Sequence, residues 1–415
     1  MHFLKIVAIS MAIFGNSLGL QTNPLPKVEN THGTDVRIVG AGIAGLASAL
    51  LIKKSDPEAD IVIIEKRRHF TTRKNIINLG IEVEKVLEEL GILKQFQDSC
   101  GVRLKSHFLL PLDSSRKKLD LIEDHVENLQ YESLNLDELE ASHFRSGVYS
   151  VSIGQLQEFL LEEVRDKGIP ILEGTLESET SQLFSDGFPL PESGLNIITS
   201  GFGSQINHFN FLDDHPCQNE KWIFANLDLD MNDGETESNN PIRSFVISTF
   251  DIKSNKSDFQ QLSNNIFRIC GEHSKLNVAL TIKEDNIDSE QFKTLILDQA
   301  SYALKIAKQE GLIPKSARFD EHLGGSSLNR VISIHNGKNK RFIQGNTIFA
   351  GDAAGVSSPL AGLGGTLALG VYPLIIRDFY LDRDEKRFKR RSNAATSSWL
   401  GKSAKVRKFI KSYKR

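Results

Sequence analysis

The chain has 415 residues and carries 50 Lys and Arg against 53 Asp and Glu, a formal net charge of −3. That length supplies core for two domains or one elaborated fold, and the near-balanced charge excludes the broad basic field that nucleic-acid binding uses. Cys100, Cys217 and Cys270 have neither zinc-ligand spacing nor the density of a disulfide scaffold, so neither device organises the chain.

His2 and Lys5 precede an apolar run over residues 6–20, and Ser17 and Gly19 occupy the small-residue positions of a cleavage site. Residues 1–20 are therefore expected to be a secretory signal peptide, which implies a secreted or periplasmic protein. The alternative is an apolar extension docked on a cytoplasmic one. The run is short for a membrane span, and no Arg-Arg pair directs folded export.

Residues 36–45, VRIVGAGIAG, pass from an apolar run into a glycine turn and then into the helix pattern of 46–54. Each glycine has its own reason: Gly40 for the turn, Gly42 so that backbone N–H groups can approach a pyrophosphate, and Gly45 for close helix–strand packing. A second strand, 61–64, leads to Glu65, twenty residues past Gly45, where a carboxylate can accept from a ribose diol. Strand, turn, helix, strand and acid in that order read as an adenine-dinucleotide site.

Lys66, Arg67 and Arg68 follow, then Arg73 and Lys74; they either line phosphates or solvate a loop. Val83, Val86, Leu87, Leu90 and Leu93 predict an amphipathic helix over 81–96. Residues 102–150 mix short apolar runs with charge and read as excursions from the core. A helix starting at 152, with Leu156, Phe159, Leu160 and Val164 on one face, precedes strands at 169–172 and 195–199. The second of these runs into Ser200-Gly201-Phe202-Gly203 and is expected to return to the nucleotide sheet. Segments 221–231, 242–252, 266–271 and 276–283 suit an antiparallel sheet, and 288–311 a long amphipathic helix.

The second informative stretch, Gly351-Asp352-Ala-Ala-Gly355, ends a strand. It continues through Pro359 and Gly362 into Gly364-Gly365 and another helix, a turn suited to an anionic ring or phosphate. Residues 381–415 are rich in Lys and Arg around Trp399, Leu400, Val406, Phe409 and Ile410. Such a helix either touches an anionic membrane surface or packs against the nucleotide domain.

With GAGIAG, Glu65-Lys66-Arg67 and GDAAG…PLAGLGG in order over residues 36–370, the chain resembles the FAD-dependent monooxygenases of the para-hydroxybenzoate hydroxylase superfamily. Shorter stretches, EKRRHFTTRKNIINL and SIGQLQEFLL, are similar to the flavin domain of MICAL proteins. The resemblance implies an FAD site built from Gly40, Gly42, Ala44, Gly45, Glu65, Lys66, Arg67, Arg73 and Gln155. Gly351, Asp352, Pro359, Gly362, Gly364 and Gly365 complete it, the last four beside the isoalloxazine. The expected fold class is α/β: a Rossmann-like FAD/NAD(P)-binding domain with an inserted, mostly antiparallel β-sheet for a small-molecule substrate. The domain boundaries are 34–205 and 336–380 for the FAD domain, 206–335 for the insert and 381–415 for the tail.

The activity implied is hydroxylation of an aromatic or hydrophobic substrate with NAD(P)H and O2 through a flavin C4a-hydroperoxide. Two departures qualify it. Ser200-Gly201-Phe202-Gly203 lacks the carboxylate of the family's Asp-Gly turn, and Gly355 stands where many members have His. The alternatives are a flavin-dependent reductase or dehydrogenase of a hydrophobic substrate, and a flavin-binding protein without turnover. No metal cluster or Ser-His-Asp set emerges, and His208, His215, His273, His322 and His335 are scattered. No catalytic base is assigned.

Overall fold

The computed structural model describes residues 34–66, 76–104, 106–112, 122–125, 136–137, 148–176, 183–185, 188–189, 194–201, 211–212, 220–230, 245–251, 265–270, 275–282, 289–309, 313–319, 332–334, 337–339, 342–356 and 362–412. The expected signal peptide lies outside them. It opens with β1 (Val36–Val39), α1 (Ile43–Ser55) and β2 (Ile61–Glu65). The two strands are parallel, Val36 opposite Ile61 and Val39 opposite Ile64. Val36, Ile38, Ile61 and Ile63 face the main core, while Val39, Val62 and Ile64 join a smaller core on the other face. Burial on both faces is why these strands read as continuous apolar runs rather than alternating ones.

The chain continues through β3 (Ile76–Leu79), α2 (Val83–Leu90) and α3 (Leu93–Ser99). The helix expected over 81–96 is thus two helices, broken where Gly91 takes the left-handed φ of 80°. After β4 (Val102–Arg103) come β5 (Ser106–Leu112) and β6 (Ile122–His125). Then follow β7 (Tyr149–Ser152), α4 (Ile153–Asp166), β8 (Ile171–Glu173) and β9 (Leu195–Ile198). A small antiparallel sheet has the order β3-β7-β4.

The second sheet is built on β10 (Glu220–Asp230), β11 (Phe245–Asp251), β12 (Asn265–Cys270) and β13 (Lys275–Ile282), followed by α5 (Ser289–Gln309). Its order is β10-β13-β12-β11-β5-β6. Residues 106–112 and 122–125, read from sequence as excursions, are therefore strands of this sheet. β5 runs parallel to β11, with Phe245 opposite Ser106, whereas the other pairs along that order are antiparallel. Helix α5 buries Ile296, Ala300, Leu304 and Ala307, a stripe at helical spacing.

The chain then returns as β14 (Ile343–Gln344) and β15 (Thr347–Phe349). The nucleotide sheet has the order β14-β15-β9-β1-β2-β8, parallel except for the β14–β15 hairpin. The strand expected to return does so, pairing on both sides with β1 and β15. The final helices are the single turn α6 (Gly364–Thr366), α7 (Tyr372–Asp382) and α8 (Glu385–Ser412). Phe388, Ala395, Trp399 and Leu400 of α8 are buried, so two residues of the tail's apolar set pack within the chain. Among the described residues no helix is long and apolar enough to cross a membrane.

Candidate dinucleotide site

The turn from β1 into α1 is held by side chains from three other elements. Gly40 has φ 108°, and a Cβ there would fall 2.7 Å from Ser200 Cα, so conformation and close approach both require glycine. Glu65, buried at the end of β2, accepts a hydrogen bond from the Ala41 N–H at 2.9 Å. Gln157, buried in α4, donates from Nε2 to the Ala41 carbonyl at 2.7 Å. Thr199, just past β9, donates from Oγ1 to the Gly40 carbonyl at 2.9 Å. One peptide unit is thereby fixed at both its N–H and its neighbouring carbonyls.

The remaining glycines separate packing from ligand. At Gly45 a Cβ would lie 2.2 Å from the Gly40 carbonyl oxygen and 2.6 Å from Thr199 Oγ1, so the helix reaches the strand only with glycine. At Gly42 the nearest protein atom to an added Cβ is the Thr199 carbonyl oxygen at 3.8 Å. Packing among the described residues does not demand that glycine. Gly42 is also the N-cap of α1, which has no side-chain cap and no acidic residue in its first turn. A diphosphate fits such a helix start, where uncapped amides and the positive end of the helix dipole meet backbone without a Cβ.

The second glycine motif sits on the first. Gly351 has φ 60°, and a Cβ there would lie 3.2 Å from the Ala44 Cβ on the opening turn of α1. Asp352, in the short 3₁₀ turn Gly351–Ala353, is exposed. Downstream, Gly362 is again left-handed, at φ 63°. A Cβ on Gly364 would meet the Trp399 indole at 3.3 Å, and one on Gly365 would meet Ile77 Cδ1 at 2.7 Å and Leu79 Cδ2 at 2.8 Å. Thr366 Oγ1 accepts from the Gly80 N–H at 2.8 Å. The loop is therefore wedged between β3 and α8. The Tyr372 hydroxyl pairs with Thr396 Oγ1 at 2.7 Å; full burial pushes that phenol well above its ordinary pKa, and the Asp352 carboxylate adds to the rise.

Where β4 leaves for the second sheet and β7 returns, Glu84 of α2 collects both strands. It accepts from the Tyr149 hydroxyl at 2.5 Å and from Arg103 Nη1 at 2.8 Å, while Gln97 Nε2 donates to the Tyr149 oxygen at 2.8 Å. Burial, then the Glu84 hydrogen bond, raise the Tyr149 phenol.

Of the sequence-derived site residues, the structure brings Gly40, Gly42, Ala44, Gly45, Glu65 and Gly351 to one locus, with Asp352 beside them. Gly362, Gly364 and Gly365 continue from it along β3 and α8. Arg67, Arg73 and Pro359 lie outside the described residues, as do Phe202 and Gly203. Lys66 is exposed at the end of β2. Gln155 is exposed on α4, and Gln157, two residues on, holds the turn from within the protein. Thr199 was also missed. The phase of α4 carried the signal for Gln157, which falls on the face marked by Leu156, Leu160 and Val164, whereas Gln155 lies opposite. Among the described residues no group of His, Cys, Asp and Glu is placed to hold a metal.

Comparison with known proteins agrees with this geometry. The family of NAD(P)-binding Rossmann-like domains matches residues 38–79, from β1 to β3. No curated protein matches the chain in sequence. Among solved structures, a flavoprotein/dehydrogenase from Cytophaga hutchinsonii superposes with a TM-score of 0.59 at 15% identity, over 87% of this chain and 82% of that one. CtdE in complex with FAD and a substrate gives 0.57 at 14%, over 90% and 87%. The tetrameric form of 2-methyl-3-hydroxypyridine-5-carboxylic acid oxygenase gives 0.54 at 15%, over 90% and 87%. At such identities the likeness establishes the fold: a Rossmann-like FAD/NAD(P)-binding domain with a separate, mostly antiparallel sheet.

Proposed function

We propose that the chain is an FAD-dependent oxidoreductase, and within that class a monooxygenase that uses NAD(P)H and O2 to hydroxylate an aromatic or hydrophobic substrate. The observation that carries the reading is Gly42. Among the described residues no packing contact requires glycine there, yet it caps an uncapped helix against which the second glycine motif is pressed. When bound, FAD would supply the redox chemistry. The chain's part is to receive the diphosphate at the start of α1, to hold that turn rigid through Glu65, Gln157 and Thr199, and to line the ring with the 362–365 loop. Solved structures of the same fold include proteins described as an FAD complex and an oxygenase, which supports the assignment. The sequence resemblance to the para-hydroxybenzoate hydroxylase superfamily narrows it further.

The test is to load purified protein with FAD, reduce it anaerobically with NADH or NADPH, and admit O2 while spectra are recorded. Folded protein that takes up no FAD overturns the proposal. Substrate turnover without O2 favours the reductase or dehydrogenase reading, and reoxidation that leaves the chain inert towards substrates favours a flavin-binding protein without turnover. One observation weighs against efficient nicotinamide use and leaves room for a flavin-binding protein without turnover: the turn after β9 begins Ser200-Gly201, without the carboxylate of the superfamily the sequence resembles. Reduction by NAD(P)H is accordingly expected to be slow, by roughly ten- to a hundredfold for one lost charged hydrogen bond, and Ser200→Asp to accelerate it. Export of the mature protein belongs to the same proposal, and the mass of its native N-terminus decides it.

A further inference from the structure

The small sheet beside the glycine loop carries two polar side chains that the reading above does not use. Asn78 of β3 and Ser150 of β7 are directly opposite in the antiparallel register, so their side chains leave the same face. The residues flanking Asn78, Ile77 and Leu79, point the other way and pack on Gly365. Asn78 is 4% exposed and Ser150 2%. Neither Asn78 Oδ1 nor Ser150 Oγ has a hydrogen-bond partner among the described residues. Folded proteins rarely bury even one such atom without a reason, because each forfeits its hydration for nothing. Here two stand side by side on neighbouring strands, β3 and β7.

From this geometry we infer a polar subsite: Asn78 and Ser150 together seat the hydrogen-bonding edge of a planar ring. The amide offers an acceptor oxygen beside N–H donors, and the hydroxyl gives or takes. Opposed residues of this kind stand about 4.5–5.5 Å apart at Cβ. A ring edge with an N–H or O–H next to a carbonyl matches that pair. Two sources have this chemistry, the pyrimidine edge of a bound flavin and a heteroaromatic or phenolic substrate. The inference rests on the FAD reading.

Two variants, Asn78→Leu and Ser150→Ala, test it in the full chain. Both remove a buried polar group that lacks a partner, so the melting temperature of the FAD-free protein is expected to hold or rise. FAD binding is then titrated. If the flavin edge is seated here, the Kd rises at least tenfold for Asn78→Leu and about threefold for Ser150→Ala, and the bound flavin's absorption bands shift. If the substrate edge is seated here, FAD affinity and spectrum match wild type. In that case 2-pyridone, a planar lactam, perturbs the spectrum of FAD-loaded wild type saturably, and the variants need at least tenfold more of it. Either result supports the subsite. FAD and 2-pyridone responses unchanged in both variants, whatever the melting temperature, overturn it; a lowered melting temperature in addition would make the pair part of the fold, served by an ordered water only. Wild-type protein that takes up no FAD removes the underlying reading instead, and is recognised before any variant is compared.

Discussion

The Ala41 turn and the Asn78–Ser150 pair treat buried polarity in opposite ways. At the turn, Glu65 and Gln157 are buried and each meets a backbone group of Ala41 at 2.7 to 2.9 Å. On the small sheet, Asn78 Oδ1 and Ser150 Oγ, on side chains at least as buried as Gln157, have no hydrogen-bond partner among the described residues. The first arrangement is complete in the protein alone and sets a shape in advance; the second is complete only with a further molecule. A buried polar group is thus a fold device or a recognition device according to whether the chain itself supplies the partner.

The largest expected effect breaks the turn outright. Gly45→Ala drives a Cβ into the Gly40 carbonyl and should destabilise the protein by about 3 kcal/mol in urea unfolding. Gly42→Ala makes only an ordinary van der Waals contact with the Thr199 carbonyl among the described residues and should cost no more than about 1 kcal/mol, yet abolish FAD uptake. Equal losses of stability would dissolve the distinction between packing and ligand glycines. Next comes the sign test of the comparison. Gln157→Leu strands the Ala41 carbonyl and should cost about 1–3 kcal/mol, whereas Asn78→Leu is expected to be neutral or stabilising in the same FAD-free assay. Two losses of similar size would make both sites fold devices.

A smaller loss, about 1 kcal/mol, is expected for Tyr149→Phe, which removes one of two hydrogen bonds to Glu84 but leaves Arg103 in place. The smallest effect is a pH dependence. The Arg391 and Arg390 guanidinia beside Asp137 hold its carboxyl well below the usual carboxylate range. The folded pKa is depressed, so the contribution is present above the unfolded value of about 4 and fades as pH falls through the folded one. Melting curves taken downward from about pH 5 should fall more steeply for the wild type than for Asp137→Asn.

What the sequence disclosed was local. The β1–α1–β2 unit was legible because its glycines, apolar runs and Glu65 lie within thirty consecutive residues, each carrying its own constraint. Strands β5 and β6 were not, since the partner that makes β5 a strand, β11, arrives only at Phe245, and mixed charge hid the alternation. Gln157 lay between the two: helical phase places it on the buried face of α4, about half a turn from the exposed Gln155. The Asn78–Ser150 pair had no sequence signal at all, because being unpartnered is a property of the surroundings.

Chain order also has a consequence for synthesis. The groups that fix the Ala41 turn, Glu65, Gln157 and Thr199, have all been synthesised by residue 200, and β9 can pair with β1 as soon as it emerges from the ribosome. Its other edge is covered only by Thr347–Phe349, after the whole second sheet has been made. Throughout that interval a nascent chain presents Asn196, Ile197 and Ile198 as a bare parallel edge, the kind of surface on which neighbouring chains pair wrongly. The same delay separates the two glycine motifs, so the turn at Gly40–Gly45 is complete long before Gly351 arrives to pack on it.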